Sequence, residues 1–163
     1  MKTRASIPDR HIGSRRRRGL ATLEFAICAP LLFLLLLATA EMGRLLFQYN
    51  TLMKAVRDGA RYAAGHAADN DSTRTVSIST QLRDETRNLV VTGNIAGTGT
   101  PLLPGLTAQQ VTVEASGAGF VRIIVNDFTF TPVLGGTLPT FGLGDPINLT
   151  MPLAATVEMR ALL

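Results

Sequence analysis

The sequence predicts an α+β fold in which a long N-terminal helix crosses a membrane, followed by a short helix and a small antiparallel sheet. Three observations lead to this prediction. Residues 20–40 are almost entirely apolar. A helical repeat of apolar residues continues from this run to about residue 68. Beyond it, segments that alternate between apolar and polar residues are separated by Gly- and Pro-rich loops, a pattern typical of strands.

The apolar run has the length of a membrane span. Its 21 residues would rise about 31 Å as a helix, close to the roughly 30 Å of a bilayer core. Residues 31–37 are apolar on every side of such a helix, and so small a protein has too few other residues to bury it. We therefore predict a transmembrane segment over 20–40.

The charge distribution predicts the orientation of the span. Residues 1–19 hold seven basic side chains and one acidic one, whereas the remainder holds nine basic and eleven acidic. The basic residues include four consecutive arginines beside the span, so the positive-inside rule places 1–19 in the cytoplasm as a leader. The rest of the chain is slightly acidic and lacks Trp, which argues against a nucleic-acid partner.

Beyond the span, the sequence predicts a continuation of the helix over 41–68 and a small α+β domain over 69–163. Residues 69–72 are predicted to form a turn and a helix N-cap. The remaining predicted elements are a second helix over 73–91, a loop over 93–105, strands over 111–115 and 120–125 with Phe128 and Phe130 continuing the alternation, a loop over 132–146, and strands over 147–151 and 153–159. Pro152 between the last two strands indicates either a break or an edge position.

Two residues in the predicted span do not suit a plain anchor. Glu24 places a carboxylate within the apolar run, where an unpaired charge is costly. It either reaches the interface beside the arginines or pairs with a group from another subunit. Pro30 removes a backbone hydrogen bond from the helix, which is common in membrane spans.

Small residues mark one face of the continuing helix. Gly59 and Ala63 are four residues apart, so they share a face that another backbone can approach closely. The sequence leaves two partners open for this face, the chain's own C-terminal domain or a neighbouring subunit.

No combination of residues indicates catalysis or a cofactor. The only cysteine, Cys28, lies in the apolar run, and Ile27 before it does not fit a lipoprotein signal. Asp69 and Asp71 begin like a calcium loop, but the later Gly and Glu are absent. We therefore expect no enzyme activity, no cofactor and no metal site.

The segment from Gly19 through Glu24 and Phe25 resembles the processing site of Flp-type (type IVb) prepilins, with a Gly followed after four residues by Glu and an aromatic. The longer stretch, including Pro30 and residues 41–44 and 57–64 in order, resembles the TadE-like family of tight-adherence pseudopilins. This resemblance covers about residues 18–64. It implies a pseudopilin-like fold in the bacterial inner membrane, with the C-terminal domain in the periplasm or in an extracellular pilus.

The resemblance also implies a processing reaction and partners. A prepilin peptidase would cut between Gly19 and Leu20, and the glutamate of such proteins is thought to pair with the N-terminal amine of a neighbouring subunit. Glu24 and Pro30, with Gly59 and Ala63, would then contribute to packing between this chain and other pilins and pseudopilins. The implied function is a minor pseudopilin that takes part in assembly of a Flp-type pilus involved in adhesion.

Two alternatives remain open from the sequence. Residues 38–40, Ala-Thr-Ala, form a small-x-small site after an apolar run, which a signal peptidase would accept in a secreted domain. Against this, the apolar run is long for a signal sequence and is interrupted by Glu24. The chain could also be an uncut membrane anchor that carries a binding domain without any role in a filament.

Overall fold

The protein forms a long helix with a small α+β domain packed along its C-terminal half. The computed structural model describes residues 14–67, 76–117, 119–133, 135–138, 140 and 144–162. The element order is α1 (Ser14–His66), α2 (Thr80–Thr92), β1 (Val111–Ser116), β2 (Phe120–Phe130), β3 (Thr137–Leu138), β4 (Ile147–Asn148) and β5 (Met151–Arg160). The predicted α+β class is confirmed, while the turn predicted over 69–72 lies outside the described residues.

Helix α1 differs sharply between its two halves. Its 53 residues correspond to a length of about 80 Å. From Gly19 to Ala40 no side chain is buried, whereas beyond this point one face is covered by the rest of the chain. The covered face includes Leu52, Val56 and Ala60, each with no exposed surface. The apolar face predicted from the helical repeat is therefore the side against which the domain packs.

Helix α2 begins later than the sequence predicted. Ser79 caps its first turn, since the Ser79 Oγ accepts a hydrogen bond of 3.1 Å from the Leu82 amide. Gly93 ends it with a φ of 74°, the left-handed conformation that favours glycine at a helix C-terminus. The predicted start at residue 73 is wrong, because Val76 forms a β-bridge instead and the Ser77 amide donates to the Ala67 carbonyl at 3.0 Å.

The three main strands form an antiparallel sheet in the order β1-β2-β5. Val121, Ile123 and Val125 of the central strand are fully buried against the helices, while Phe120, Arg122 and Ile124 lie on the opposite face, which is partly exposed. On this opposite face, Arg122 lies between Glu114 and Glu158 with nitrogen–oxygen distances of 3.5 and 3.4 Å. The strands predicted over 111–115, 120–125 and 153–159 are thus confirmed, with β5 longer than expected.

A β-bulge in β2 keeps its aromatic residues in the core. Val125 pairs with Ala155 and Phe128 with Leu153, so β2 advances three residues where β5 advances two. In a regular strand, residues three apart face opposite sides, so without the bulge Phe128 would face away from the side of Val125. Asp127 accommodates the bulge with a φ of 59°, and its carbonyl accepts a 3.0 Å hydrogen bond from Gln110 Nε2.

A two-stranded ribbon replaces part of a predicted loop. β3 lies within the loop predicted over 132–146 and pairs antiparallel with β4, so the strand predicted over 147–151 is divided between β4 and the start of β5. Pro152 causes no break. It lies opposite Thr129 in β5, a strand with β2 as its one neighbour in the sheet, as expected for proline in an edge strand.

The sheet lies lengthwise along α1. At one end, the Arg44 guanidinium lies 5.7 Å from the centroid of the Phe130 ring. At the other end, the Leu162 amide donates to the Ala64 carbonyl at 3.0 Å. These contacts are about 30 Å apart along the helix. The end of the domain near Arg44 therefore lies beside the apolar half of α1, and the end near Ala64 is far from it.

Candidate functional site: the N-terminal helix and its junction with the domain

The N-terminal half of α1 exposes an apolar surface. An 18-residue window of this helix has a mean hydropathy of 2.4, and none of that window is buried within the chain. It is the one helix among the described residues that is long and apolar enough to cross a membrane. Exposure of so many large side chains to water is unfavourable, so this surface has the properties of a membrane span.

The predicted processing residues lie at the start of this exposed surface. A Cβ added at Gly19 would meet no atom within 4 Å, and the Leu20 and Phe25 side chains are 61% and 63% exposed. Gly19 lies inside α1, five residues after the first helical residue. A protease that requires an extended substrate would therefore have to unwind the start of the helix, and glycine lowers that cost because it favours helix less than other residues except proline.

Glu24 lies one helical turn beyond Leu20 and on the same face. It is exposed, and within the described part of the chain its carboxylate has no hydrogen-bond or ion-pair partner. Pro30 lies further along, inside the helix, where it cannot donate a backbone hydrogen bond to the Ala26 carbonyl. Among the described residues, Glu24 and Pro30 therefore both lie on the exposed apolar half of α1.

Gly59 and Ala63 have a different environment. Both are buried, and a Cβ on Gly59 would lie 2.5 Å from Val90 Cγ2 and 3.3 Å from Ile123 Cδ1. The chain's own α2 and β2 therefore pack on this face. The C-terminal domain, one of the two partners that the sequence left open, thus contacts this face.

The junction between the exposed helix and the domain contains a polar cluster that the sequence did not predict. Glu41 is 5% exposed, and its Oε2 accepts a 3.0 Å hydrogen bond from Arg44 Nη1. Its Oε1 accepts a second hydrogen bond, 3.1 Å long, from the Val133 amide. The sequence shows Glu41 and Arg44 as a mixed pair after the span. The hydrogen bond from Val133 to Glu41 was not predictable, because the two residues are 92 positions apart in the sequence.

A second polar contact connects α1 to α2 at the far end of the domain. The Tyr62 hydroxyl donates a 2.7 Å hydrogen bond to Glu85 Oε2, while Gln81 Nε2 donates to the other carboxylate oxygen at 2.8 Å. The hydrogen bond from Tyr62 lowers the pKa of Glu85, with a further contribution from Gln81. The same bond to Glu85, together with partial burial, raises the pKa of Tyr62.

The described residues offer little for catalysis. They contain no group of three or more His, Cys, Asp or Glu side chains placed to hold a metal. A cavity of about 470 Å³ is lined by Asp84, Arg87, Asn88, Ala108 and Gln109. Arg87 is engaged there in holding the structure, because its Nε donates to the Val111 carbonyl at 2.9 Å.

Comparison with known proteins supports the sequence resemblance. Residues 19–61 match the family model described as TadE-like protein. The N-terminal helix is therefore similar to this family. The match starts at Gly19 and covers well under half of the chain. No curated protein and no solved structure matches the chain significantly.

The TadE-like match lies on the helix that is apolar enough to cross a membrane. The matched residues extend over the exposed half of α1 and the junction at Glu41, and they end at Arg61. They therefore include Glu24, Pro30 and Gly59, while the sheet lies beyond the match.

Proposed function

We propose that this protein is a minor pseudopilin that takes part in assembly of a Flp-type pilus, processed after Gly19 and packing through its N-terminal helix. The observation that carries the proposal is the exposed apolar half of α1, which begins at Gly19 and holds the Glu24 carboxylate. The TadE-like match over residues 19–61 supports it. The proposed partners are the inner membrane, a prepilin peptidase and the other pilins and pseudopilins of the same system.

Orientation in the membrane is proposed from charge. The seven basic residues among 1–19 would remain in the cytoplasm because arginine and lysine resist translocation. The domain from residue 41 onward would then lie in the periplasm. In this orientation the Gly19–Leu20 bond is at the cytoplasmic face, where the peptidase would remove the basic leader.

The proposed role of Glu24 follows from the position of its carboxylate within the apolar run. Cleavage after Gly19 would create a positively charged amine at Leu20. Pairing of this amine with Glu24 of a neighbouring subunit would offset the cost of a carboxylate in lipid. It would also fix the axial position of one helix relative to the next, because Leu20 and Glu24 are separated by about 6 Å of helix rise.

Substitution of Gly19 tests the processing step. We expect Gly19→Leu to block cleavage, so that the protein retains the roughly nineteen-residue leader and migrates about 2 kDa heavier, while membrane insertion continues because the arginines and the apolar run are unchanged. Gly43→Leu is the matched control, since Gly43 is also an exposed α1 glycine with no atom within 4 Å of an added Cβ. Cleavage of Gly19→Leu at the normal position would refute the assignment.

Substitution of Glu24 tests the assembly step. Glu24→Gln preserves the shape of the side chain and removes its charge, so we expect normal cleavage and membrane retention with loss of pili. The measurements are N-terminal sequencing, membrane fractionation and electron microscopy of cells that carry the variant. A cleaved Glu24→Gln protein in cells with normal pili would show that the charge pairing is not needed.

A further inference from the structure

Exposed apolar side chains lie on both α1 and the domain immediately after the predicted span. On α1 they include Met42, Leu46 and Phe47, and on the domain they include Val133, Ile147 and Met151. The two groups lie at the same level along the helix, since Val133 is hydrogen-bonded to Glu41. A small groove of about 120 Å³ connects them and is lined by residues of both, together with Ala38, Leu45, Phe130 and Leu149. We call these exposed side chains the apolar collar.

The sequence around the collar is almost free of charge. Residues 128–157 include only one charged side chain, Asp145, although 17% of the whole chain is charged. At the distal end of the domain, by contrast, α1 exposes Arg57, Asp58 and Arg61, and β5 ends in Arg160. Charge therefore increases with distance from the predicted span, as it does in proteins whose one end contacts lipid.

The polar groups at the collar are internally satisfied. The Glu41 carboxylate is paired with Arg44 and accepts the Val133 hydrogen bond, so it offers no isolated charge to the surroundings. The Arg44 guanidinium lies over the Phe130 ring, which provides a further favourable contact for a cation. Such internal pairing reduces the cost of placing these groups in a region of low dielectric constant.

We propose that the apolar collar is a lipid-contacting surface, which seats the periplasmic domain on the outer leaflet of the membrane that α1 spans. The proposal rests on the membrane anchoring in the proposed function and is independent of cleavage at Gly19. The lipid surface is favoured as the occupant because the collar is continuous with the exposed apolar half of α1. Side chains at this height along the helix would lie at the boundary between lipid tails and headgroups, where partial burial of apolar groups is favourable.

Site-specific labelling of the full chain in lipid nanodiscs tests this surface. Cys28 is the only cysteine, so Cys28→Ser provides a background for single cysteines that carry an environment-sensitive fluorophore. Val133→Cys reports on the collar, and Leu162→Cys is its matched control, because these side chains are 71% and 76% exposed at opposite ends of the domain. Phe33→Cys reports on the span. Each label is exposed to brominated lipids and, separately, to aqueous iodide.

We expect bromolipid to quench the labels at positions 33 and 133, and iodide to quench the label at position 162 most strongly. The collar proposal would be overturned if each reagent quenched the labels at 133 and 162 to the same extent. If bromolipid still quenched the label at 33 in that case, the membrane anchor would remain intact. A label at 33 that is open to iodide would refute the anchor itself. Discs with one protein molecule are compared with discs that hold several. Protection at 133 from iodide only in the crowded discs, without lipid quenching, would identify a neighbouring subunit as the occupant and also overturn the proposal.

Discussion

The close contact at Gly59 makes a prediction that separates packing from helix propensity. Gly59→Ala introduces a methyl group 2.5 Å from Val90 Cγ2, whereas carbon atoms prefer separations of about 3.5–4.0 Å. The substitution should therefore force α1 and α2 apart or displace Val90. We expect it to destabilise the domain, even though alanine is the better helix former.

The magnitude follows from two opposing terms. Overpacking of this kind costs about 1–3 kcal/mol, and replacing glycine by alanine in a helix returns up to about 1 kcal/mol. The net loss should therefore lie between about zero and 3 kcal/mol, and nearer the upper end if Val90 cannot move. Gly43→Ala, where the new Cβ meets no atom within 4 Å, should instead stabilise the protein by up to about 1 kcal/mol.

A double-mutant cycle with Val90→Ala isolates the contact. Removing the Val90 methyl groups relieves the overlap, so Gly59→Ala should no longer destabilise in that background, with a coupling energy of about 1–3 kcal/mol. Urea unfolding of the full chain in detergent, followed by tyrosine fluorescence, measures each variant. There is no Trp, and Tyr62 reports on the contact of α1 with α2 through its bond to Glu85. Additive effects of the two substitutions would refute the reasoning.

Two further predictions concern the polar contacts. Glu41→Ala should destabilise the domain by about 1–3 kcal/mol, because the Val133 amide loses its acceptor. Hydrogen exchange at this amide should accelerate, and an unchanged exchange rate would contradict the contact. Glu41→Gln retains an acceptor oxygen and should lose less stability. Tyr62→Phe removes the hydrogen bond to Glu85, which lowers the pKa of Glu85. The parent should therefore be more stable than the variant above the ordinary glutamate pKa of about 4.3. This advantage should disappear as the pH falls through the lowered pKa of Glu85. Because the pKa of Tyr62 is raised, the stability advantage of the parent should also disappear at a pH well above the ordinary tyrosine pKa of about 10. Urea unfolding at a series of pH values measures the difference in the free energy of unfolding. A difference independent of pH would exclude this hydrogen bond as its source.

Local patterns were sufficient to predict the main elements of the fold. The apolar repeat identified the face of α1 that contains Leu52 and Val56, and alternation identified β1, β2 and β5. The start of α2 was not predictable from the same patterns, because Val76 suits a helix as well as the β-bridge it forms. The ribbon of β3 and β4 is too short for a periodic signal, since each strand contains two residues.

The features of the fold that were not predicted depend on contacts between residues far apart in the sequence. The apolar positions of β2 move from odd to even numbers between Val125 and Phe128, which is the sequence signal of the bulge at Asp127, although the prediction treated the alternation as continuous. Similarly, Glu41 and Arg44 were visible as a pair at the end of the span, but their connection to Val133 depends on the whole sheet lying along α1. The low charge of residues 128–157 was the available sequence signal for this junction.

The most direct test of the proposed function is N-terminal sequencing of the protein isolated from membranes. Processing by a prepilin peptidase predicts a chain that starts at Leu20 and remains in the membrane fraction through its apolar helix. A chain that starts at Glu41 would instead show cleavage by signal peptidase after residues 38–40 and release of the domain. A chain that still starts at Met1 would show an uncut anchor, and either result would contradict the assignment as a processed pseudopilin.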